Sequence, residues 1–274
     1  MADGPAVAGD SRPIGVFDSG LGGLSVLREV RALLPAEDLL YVADSRFVPY
    51  GGRSPDAIRE RAECLTRFLV EEGAKAIVVA CNTATACAVT RLRTHWPVPV
   101  VGMEPAIKPA VHETRAGIVG VLATEGTLAS GRFAALLEQY AGACRVITQP
   151  CPGLVEAVEA GELRGPRIEG LLARYVTPLL DAGADALILG CTHYPFLRPA
   201  LAAFAGDHVR IIDTGEAVAR QLVRRLDFDG LHAPPGRRGE AAFWTTGDPV
   251  AGGEALQRLW DAGARLQHLR SAEA

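Results

Sequence analysis

The chain has 274 residues, 49% of them hydrophobic and 22% charged, with a formal net charge of −4. That length suits two modest domains or one large one, and the apolar share suffices for buried cores. The dispersed, slightly acidic charge gives no basic footprint for nucleic acid, and no apolar run approaches the roughly 18 residues that a membrane span needs.

Residues 1–13, MADGPAVAGDSRP, lack the basic start and apolar stretch of a secretory signal and read as a disordered leader. The default location is cytoplasmic, where thiols stay reduced. The six cysteines, Cys64, Cys81, Cys87, Cys144, Cys151 and Cys191, are therefore not expected to form a disulfide framework. No CxxC or HExxH spacing suggests zinc, so neither metal nor cofactor is expected.

Short apolar runs alternate with helical stretches. Ile14–Phe17 reads as a strand, then a Gly-rich turn, then a helix over Leu24–Leu34. Leu39–Ala43 is a strand, Pro55–Glu72 a helix stopped by Gly73, Ala76–Ala80 a strand, Ala84–Thr94 a helix and Val98–Val101 a strand. The pattern restarts with a strand at Ala116–Leu122, a helix at Ser130–Tyr140 and a strand at Arg145–Gln149. A helix at Arg167–Ala182, a strand at Ala186–Leu189, a helix at Pro199–Ala205 and a strand at Val209–Ile212 follow. The helix Glu216–Leu226 leads to a loop at His232–Gly239, an edge strand at Ala241–Thr245 and a helix at Glu254–Arg265. This βαβα ordering predicts an α/β fold of mostly parallel sheets flanked by helices.

The restart has the form of a duplication. EEGAKAIVVACNT (71–83) aligns without a gap on DAGADALILGCTH (181–193), and GVFDS (15–19) aligns on GVLAT (120–124). Two pseudosymmetric α/β domains are therefore expected to face each other across a cleft, with Cys81 and Cys191 in equivalent positions. The similarity of Val98–Gly102 to Val209–Asp213, read as crossing strands, sets the boundaries. Residues 14–104 and 211–260 form the first domain, 105–210 are inserted as the second, and 261–274 are a C-terminal tail.

In VVACNTATA, Cys81 stands just past the carboxyl end of a strand, where open α/β sheets bind ligands, and Asn82 and Thr83 are suited to cap the next helix. LILGCTHYP repeats the arrangement around Cys191, Thr192 and His193. A helix N-terminus favours a substrate carboxylate and a thiolate of lowered pKa. One such cysteine is as readily a small buried hydrophobe; two at matching strand ends point to chemistry. Inverting a carbon centre needs a base on one face and an acid on the other, and two thiols provide both. Asp18 and Ser19 end the first strand, placing Asp18 within reach of Cys81, and His193 follows Cys191 by two residues. The loop GLGGLS (20–25), with Asp44 after the second strand, imitates a dinucleotide fingerprint, but Ser25 replaces the third glycine and Asp18 would set a carboxylate beside the pyrophosphate.

IGVFDSGLGGLSVLREV (14–30), YVADSRFVPYGGRS (41–54), VVACNTATA (78–86), GTLASG (126–131), LILGCTHYPFLRPAL (187–201), IIDTGEAVA (211–219) and FWTTGDP (243–249) resemble, in the same order, the glutamate racemase family. The resemblance implies two pseudosymmetric α/β domains with the active site between them. It implies interconversion of L- and D-glutamate without a cofactor, supplying D-glutamate for peptidoglycan synthesis, and it leaves room for a homodimer. Carried over by motif, Cys81 resembles the base for the D-enantiomer with Asp18 as its partner, and Cys191 the base for the L-enantiomer with His193 as its partner. Ser19, Pro49, Tyr50, Gly51, Asn82, Thr83, Thr124 and Thr192 fall where the family binds substrate, Asp18 among them, and Glu159, in CPGLVEAVE (151–159), at a family acid proposed to assist catalysis. Ala123 departs from the glycine that many members carry, and its methyl is expected to disturb Thr124. The residues alone leave side-chain length open, so an aspartate racemase or related two-cysteine isomerase remains an alternative, as does a non-catalytic partner-binding protein.

Overall fold

A computed structural model describes residues 9–269. Strand β1 (Ile14–Asp18) is buried along its whole length, as expected for a central parallel strand covered on both faces. The chain continues through α1 (Leu24–Leu33), β2 (Leu39–Ala43), a 3₁₀ turn (Tyr50–Gly52), α2 (Pro55–Glu71), β3 (Ala76–Val79), α3 (Asn82–His95) and β4 (Val100–Val101). Then come α4 (Ile107–Glu113), β5 (Ile118–Ala123), α5 (Glu125–Leu128), α6 (Gly131–Tyr140), β6 (Arg145–Pro150), α7 (Leu154–Glu159) and α8 (Pro166–Asp181). After β7 (Ala186–Leu189), a 3₁₀ turn (Tyr194–Leu197), α9 (Arg198–Ala205) and β8 (Arg210–Ile212), the chain ends its described course with α10 (Gly215–Asp229), β9 (Ala241–Thr245), α11 (Pro249–Leu259) and β10 (Leu266–His268).

Two sheets result, one ordered β10-β9-β2-β1-β3-β4 and the other β6-β5-β7-β8, with every pairing parallel. The run β2-β1-β3-β4 corresponds to β6-β5-β7-β8, and the correspondence extends to register. Gly15 pairs with Ile77 in the first sheet, and their aligned counterparts Gly120 and Leu187 pair in the second. The helix ends match as well. After α2, Gly73 has φ +86° and donates to Val70 O, while Ala74 donates to Leu69 O. After α8, Gly183 has φ +90° and donates to Leu180 O, while Ala184 donates to Leu179 O. Both are Schellman caps, which need the left-handed conformation that glycine adopts without a Cβ penalty. The aligned segments therefore share a turn, a strand and a strand-end cysteine.

Several expectations need correction. Ala241–Thr245 is an inner strand, because β10 pairs outside it and brings part of the expected tail, 261–274, into the first sheet. The last helix starts and ends earlier than Glu254–Arg265: Asp248 caps it by accepting from Val250 N–H, Pro249 fills its first turn, and an Asp261-led turn follows Trp260. The strand at Val98–Val101 shrinks to β4, since Pro97 and Pro99 have no N–H for a ladder. Residues 210–212 pair with β7, so the chain leaves the second sheet only after Ile212. Of the expected disordered leader, 1–8 lie outside the described residues, as do 270–274 of the tail. Asp10 is tied down, its N–H donating to His232 O and its carbonyl accepting from Lys75 Nζ. The short helices α4, α5 and α7 were not anticipated.

Candidate active site

The carboxyl ends of β1, β3, β5 and β7 point to one small cleft. Every site residue expected from sequence lines it except Asp18 and Glu159, which stand immediately behind Ser19 and His193. Val155 and Gly190 join the lining and were missed.

On the first side, Cys81 itself caps α3, its Sγ accepting from Ala84 N–H at 3.5 Å and donating towards Ser19 Oγ at 3.9 Å. The caps expected at Asn82 and Thr83 are thus displaced by one residue. Those two side chains, in the first helical turn, are left facing the cleft. Asn82 is 4% exposed, yet neither its Oδ1 nor its Nδ2 has a partner within the protein. A buried amide with both ends unsatisfied is costly, and a polar ligand in the cleft would satisfy it.

The expectation of a lowered thiol pKa fails at Cys81. Burial raises it well above the ordinary thiol value, and the neighbouring Asp18 carboxylate raises it further, so the helix N–H cannot compensate. Asp18 is itself pushed up by burial, partly offset by His193, Cys81 and its other hydrogen bonds. Its carboxylate accepts from Ser19 N–H and Gly23 N–H, both at 2.6 Å, and from Thr192 Oγ1 at 3.0 Å. Asp18 therefore joins the two halves, and Ser25 Oγ, donating to Thr192 O at 2.8 Å, does the same.

On the second side, Cys191 Sγ lies 3.6 Å from His193 Nδ1, and His193 Nε2 lies 2.6 Å from Glu159 Oε1. Burial works against the imidazolium, but hydrogen bonds to Cys191 and Glu159 outweigh it and hold His193 well above the usual histidine range. Glu159 Oε1 also accepts Leu21 N–H from the first half at 2.6 Å. No α-helix begins at Cys191. Residues 194–197 form a 3₁₀ turn containing Pro195, so the two cysteines share a strand end without sharing a helix cap.

The Gly-rich loop serves this second side. A Cβ on Gly20 would collide with the Glu159 carboxylate, and one on Gly22 with the His193 ring. The nucleotide-like pattern is thus the imprint of a histidine–carboxylate pair packed onto a main chain.

Three hydroxyls meet between the halves, those of Thr83 and Thr124 in the cleft lining and that of Thr127 buried behind them. Thr83 Oγ1 lies 2.9 Å from Thr124 Oγ1 and 3.1 Å from Thr127 Oγ1, and the last two are 3.0 Å apart. Thr127 was missed, because only the fold brings its hydroxyl to Thr83 and Thr124. The Ala123 methyl stacks on Gly190, where a Cβ would come within 2.9 Å, and Thr124 lines the cleft. Cys151 is buried outside the cleft, its thiol raised by burial and donating to Gln149 O. Among the described residues no three His, Cys, Asp or Glu side chains are grouped to hold a metal, and no helix is long and apolar enough to cross a membrane.

The family model for Asp/Glu/hydantoin racemases matches residues 14–222. Fold, site and this match define an isomerase, an amino-acid racemase. A glutamate racemase from Pseudomonas putida is 60% identical over 251 residues, 91% of this chain and 94% of that protein. The structure is similar to that of the glutamate racemase isoform RacE1 from Bacillus anthracis, with TM-score 0.85 and 32% identity over 94% of this chain and 97% of that one. It is also similar to Escherichia coli glutamate racemase in complex with L-glutamate and the activator UDP-MurNAc-Ala, with TM-score 0.82 and 33% identity over 94% and 98%. The chain belongs to the Asp/Glu/hydantoin racemase family, among its glutamate racemases.

Proposed function

We propose that the chain interconverts L- and D-glutamate by passing the α-proton between Cys81 and Cys191. The supporting observation is that both thiols line one small cleft, each contributed by a different half and each beside its own polar partner. One cysteine, as thiolate, takes the α-proton as the C–H bond breaks. The opposite thiol gives its proton to the other face of the resulting carbanion, and the roles exchange in reverse. Cys81 acts on the D-enantiomer with Asp18 nearby, and Cys191 on the L-enantiomer with His193 backed by Glu159.

Asn82, the hydroxyls of Ser19, Thr83, Thr124 and Thr192 and the segment Pro49–Gly51 bind the substrate's carboxylates and ammonium group. The Escherichia coli relative's complex with L-glutamate supports that choice of substrate. No cofactor takes part, because the two thiols account for both proton transfers. Two lobes, 14–104 with 213–269 and 105–212, close on the substrate and expel water, which strengthens the electrostatics around the transfer. The product D-glutamate serves peptidoglycan synthesis in the cytoplasm.

The test is the purified chain incubated with L-glutamate or L-aspartate, without added cofactor and after dialysis against chelator, followed by circular dichroism. The glutamate signal should decay to zero. A persistent glutamate signal, or faster decay with aspartate, would overturn the proposal.

A further inference from the structure

Asp44, just past β2, is fully buried, and four side-chain hydrogen bonds converge on its carboxylate. Oδ2 accepts from the Tyr50 hydroxyl at 2.5 Å and from Arg61 Nε at 3.0 Å. Oδ1 accepts from Arg61 Nη2 at 2.9 Å and from Thr246 Oγ1 at 2.8 Å. The Asp44 main chain extends the same hold: its N–H donates to Asp18 O and its carbonyl accepts Phe47 N–H, each at 2.9 Å. Arg61, on α2, lies over the Phe47 ring at 4.1 Å, and Thr246, just past β9, also accepts Arg46 N–H at 3.2 Å.

These contacts grip a segment that cannot position itself. Between β2 and α2 the chain has one 3₁₀ turn and no strand pairing, yet Pro49, Tyr50 and Gly51 form one wall of the cleft. A buried ion pair is a poor way to gain stability, since apolar side chains of similar size often serve as well. What a two-pronged Arg–carboxylate contact adds is one fixed geometry. Here that geometry is handed to the cleft wall through the Tyr50 hydroxyl, and it is shared with β9 through Thr246.

We infer that Asp44, Arg61 and Thr246 are positioning residues for glutamate binding, holding residues 49–51 against the cleft without touching substrate. The inference rests on the reading of that cleft as the glutamate site. It explains why YVADSRFVPYGG and FWTTGDP, 200 residues apart, belong to one piece of machinery.

Thr246→Val keeps the shape and removes one hydrogen bond to a charged group. It should raise KM for L- and D-glutamate by the same factor, about tenfold, with kcat within about threefold of the parent. Thr246→Ser, which restores the hydroxyl, should restore KM. Hydrogen exchange at amides 45–52 should quicken in Thr246→Val and return in Thr246→Ser. Arg61→Lys keeps the charge and loses the two-pronged contact, and should show the same KM-selective defect. Unchanged KM and exchange in Thr246→Val, or a loss confined to kcat, would overturn the inference. A parent protein that does not racemise glutamate would defeat the reading of the site instead, and the exchange data would still test the positioning role.

Discussion

His193 Nε2 lies 2.6 Å from Glu159 Oε1, while its Nδ1 faces Cys191 Sγ at 3.6 Å. Among the described residues, the relay thiol–imidazole–carboxylate lies on this side alone. Cys81 has a serine hydroxyl and a buried carboxylate for company, so the two thiols are alike in strand position and unlike in surroundings. A pseudosymmetric fold therefore holds a chemically asymmetric site.

The pH dependence of stability should register that relay. The folded pKa of His193 is raised, so its contribution is fully present below the unfolded histidine value of 6.5 and is lost as pH rises through the higher folded value. Glu159→Gln removes a partner that favours the imidazolium. The parent's advantage in thermal unfolding temperature over Glu159→Gln should be greatest between about pH 5 and 6.5 and should shrink on going alkaline. The alkaline limb of the L-to-D pH profile should move to lower pH in the variant. A stability gap that stays constant from pH 5.5 to 9.5 would show that Glu159 acts only as a packing and backbone contact.

Gly22 tests the close approach of the first loop to the second half. A methyl at this position would enter the His193 ring, which is 1% exposed and has Glu159 behind it. Gly22→Ala should cost about 1–3 kcal/mol of stability, the range for overpacking a tight site. Activity should fall by more than that stability loss explains, because His193 must move away from Cys191. Gly52→Ala is the control, since a Cβ there meets nothing within 4 Å. Full activity in Gly22→Ala would mean that the ring has room which the structure denies it.

Much of the site was legible because it sits at strand ends. Periodicity and glycine stops located β1, β3, β5 and β7 to within a residue or two, and parallel strands bring their carboxyl ends together wherever they lie in the chain. Cys81, Cys191 and Asp18 followed from that geometry, whereas Thr124 came only with the family resemblance. The relay from His193 to Glu159 was less legible, since α7 has only six residues and too little pattern to announce itself. The thiol environment was not legible: a helix N-terminus lowers a thiol pKa in isolation, and only the fold reveals that burial and Asp18 overrule it at Cys81. β10 was not legible because it has only three residues, Leu266–His268, and its place outside β9 is set by pairing in the fold.

The division of labour between the thiols gives the decisive test. Cys81 comes from the strand end of the first half and Cys191 from that of the second, and both line the same cleft. Deleting either thiol should stop racemisation, because the survivor can act on only one face of the α-carbon. The cost of Cys81→Ala or Cys191→Ala should exceed the roughly 10²–10⁴-fold typical of one general acid or base, since proton removal and return both fail. Asp18→Asn and His193→Asn should be milder and skewed, the first slowing D-to-L more and the second L-to-D more. The equilibrium constant between enantiomers is one, so kcat and KM must change together and the two kcat/KM values must stay equal. In heavy water, deuterium should enter the product's α-position ahead of the remaining substrate, because the arriving and departing protons use different sulfurs. Near-normal racemisation by Cys191→Ala, or label entering substrate and product equally from the first turnovers, would mean that a single group serves both faces and that the second thiol is a bystander.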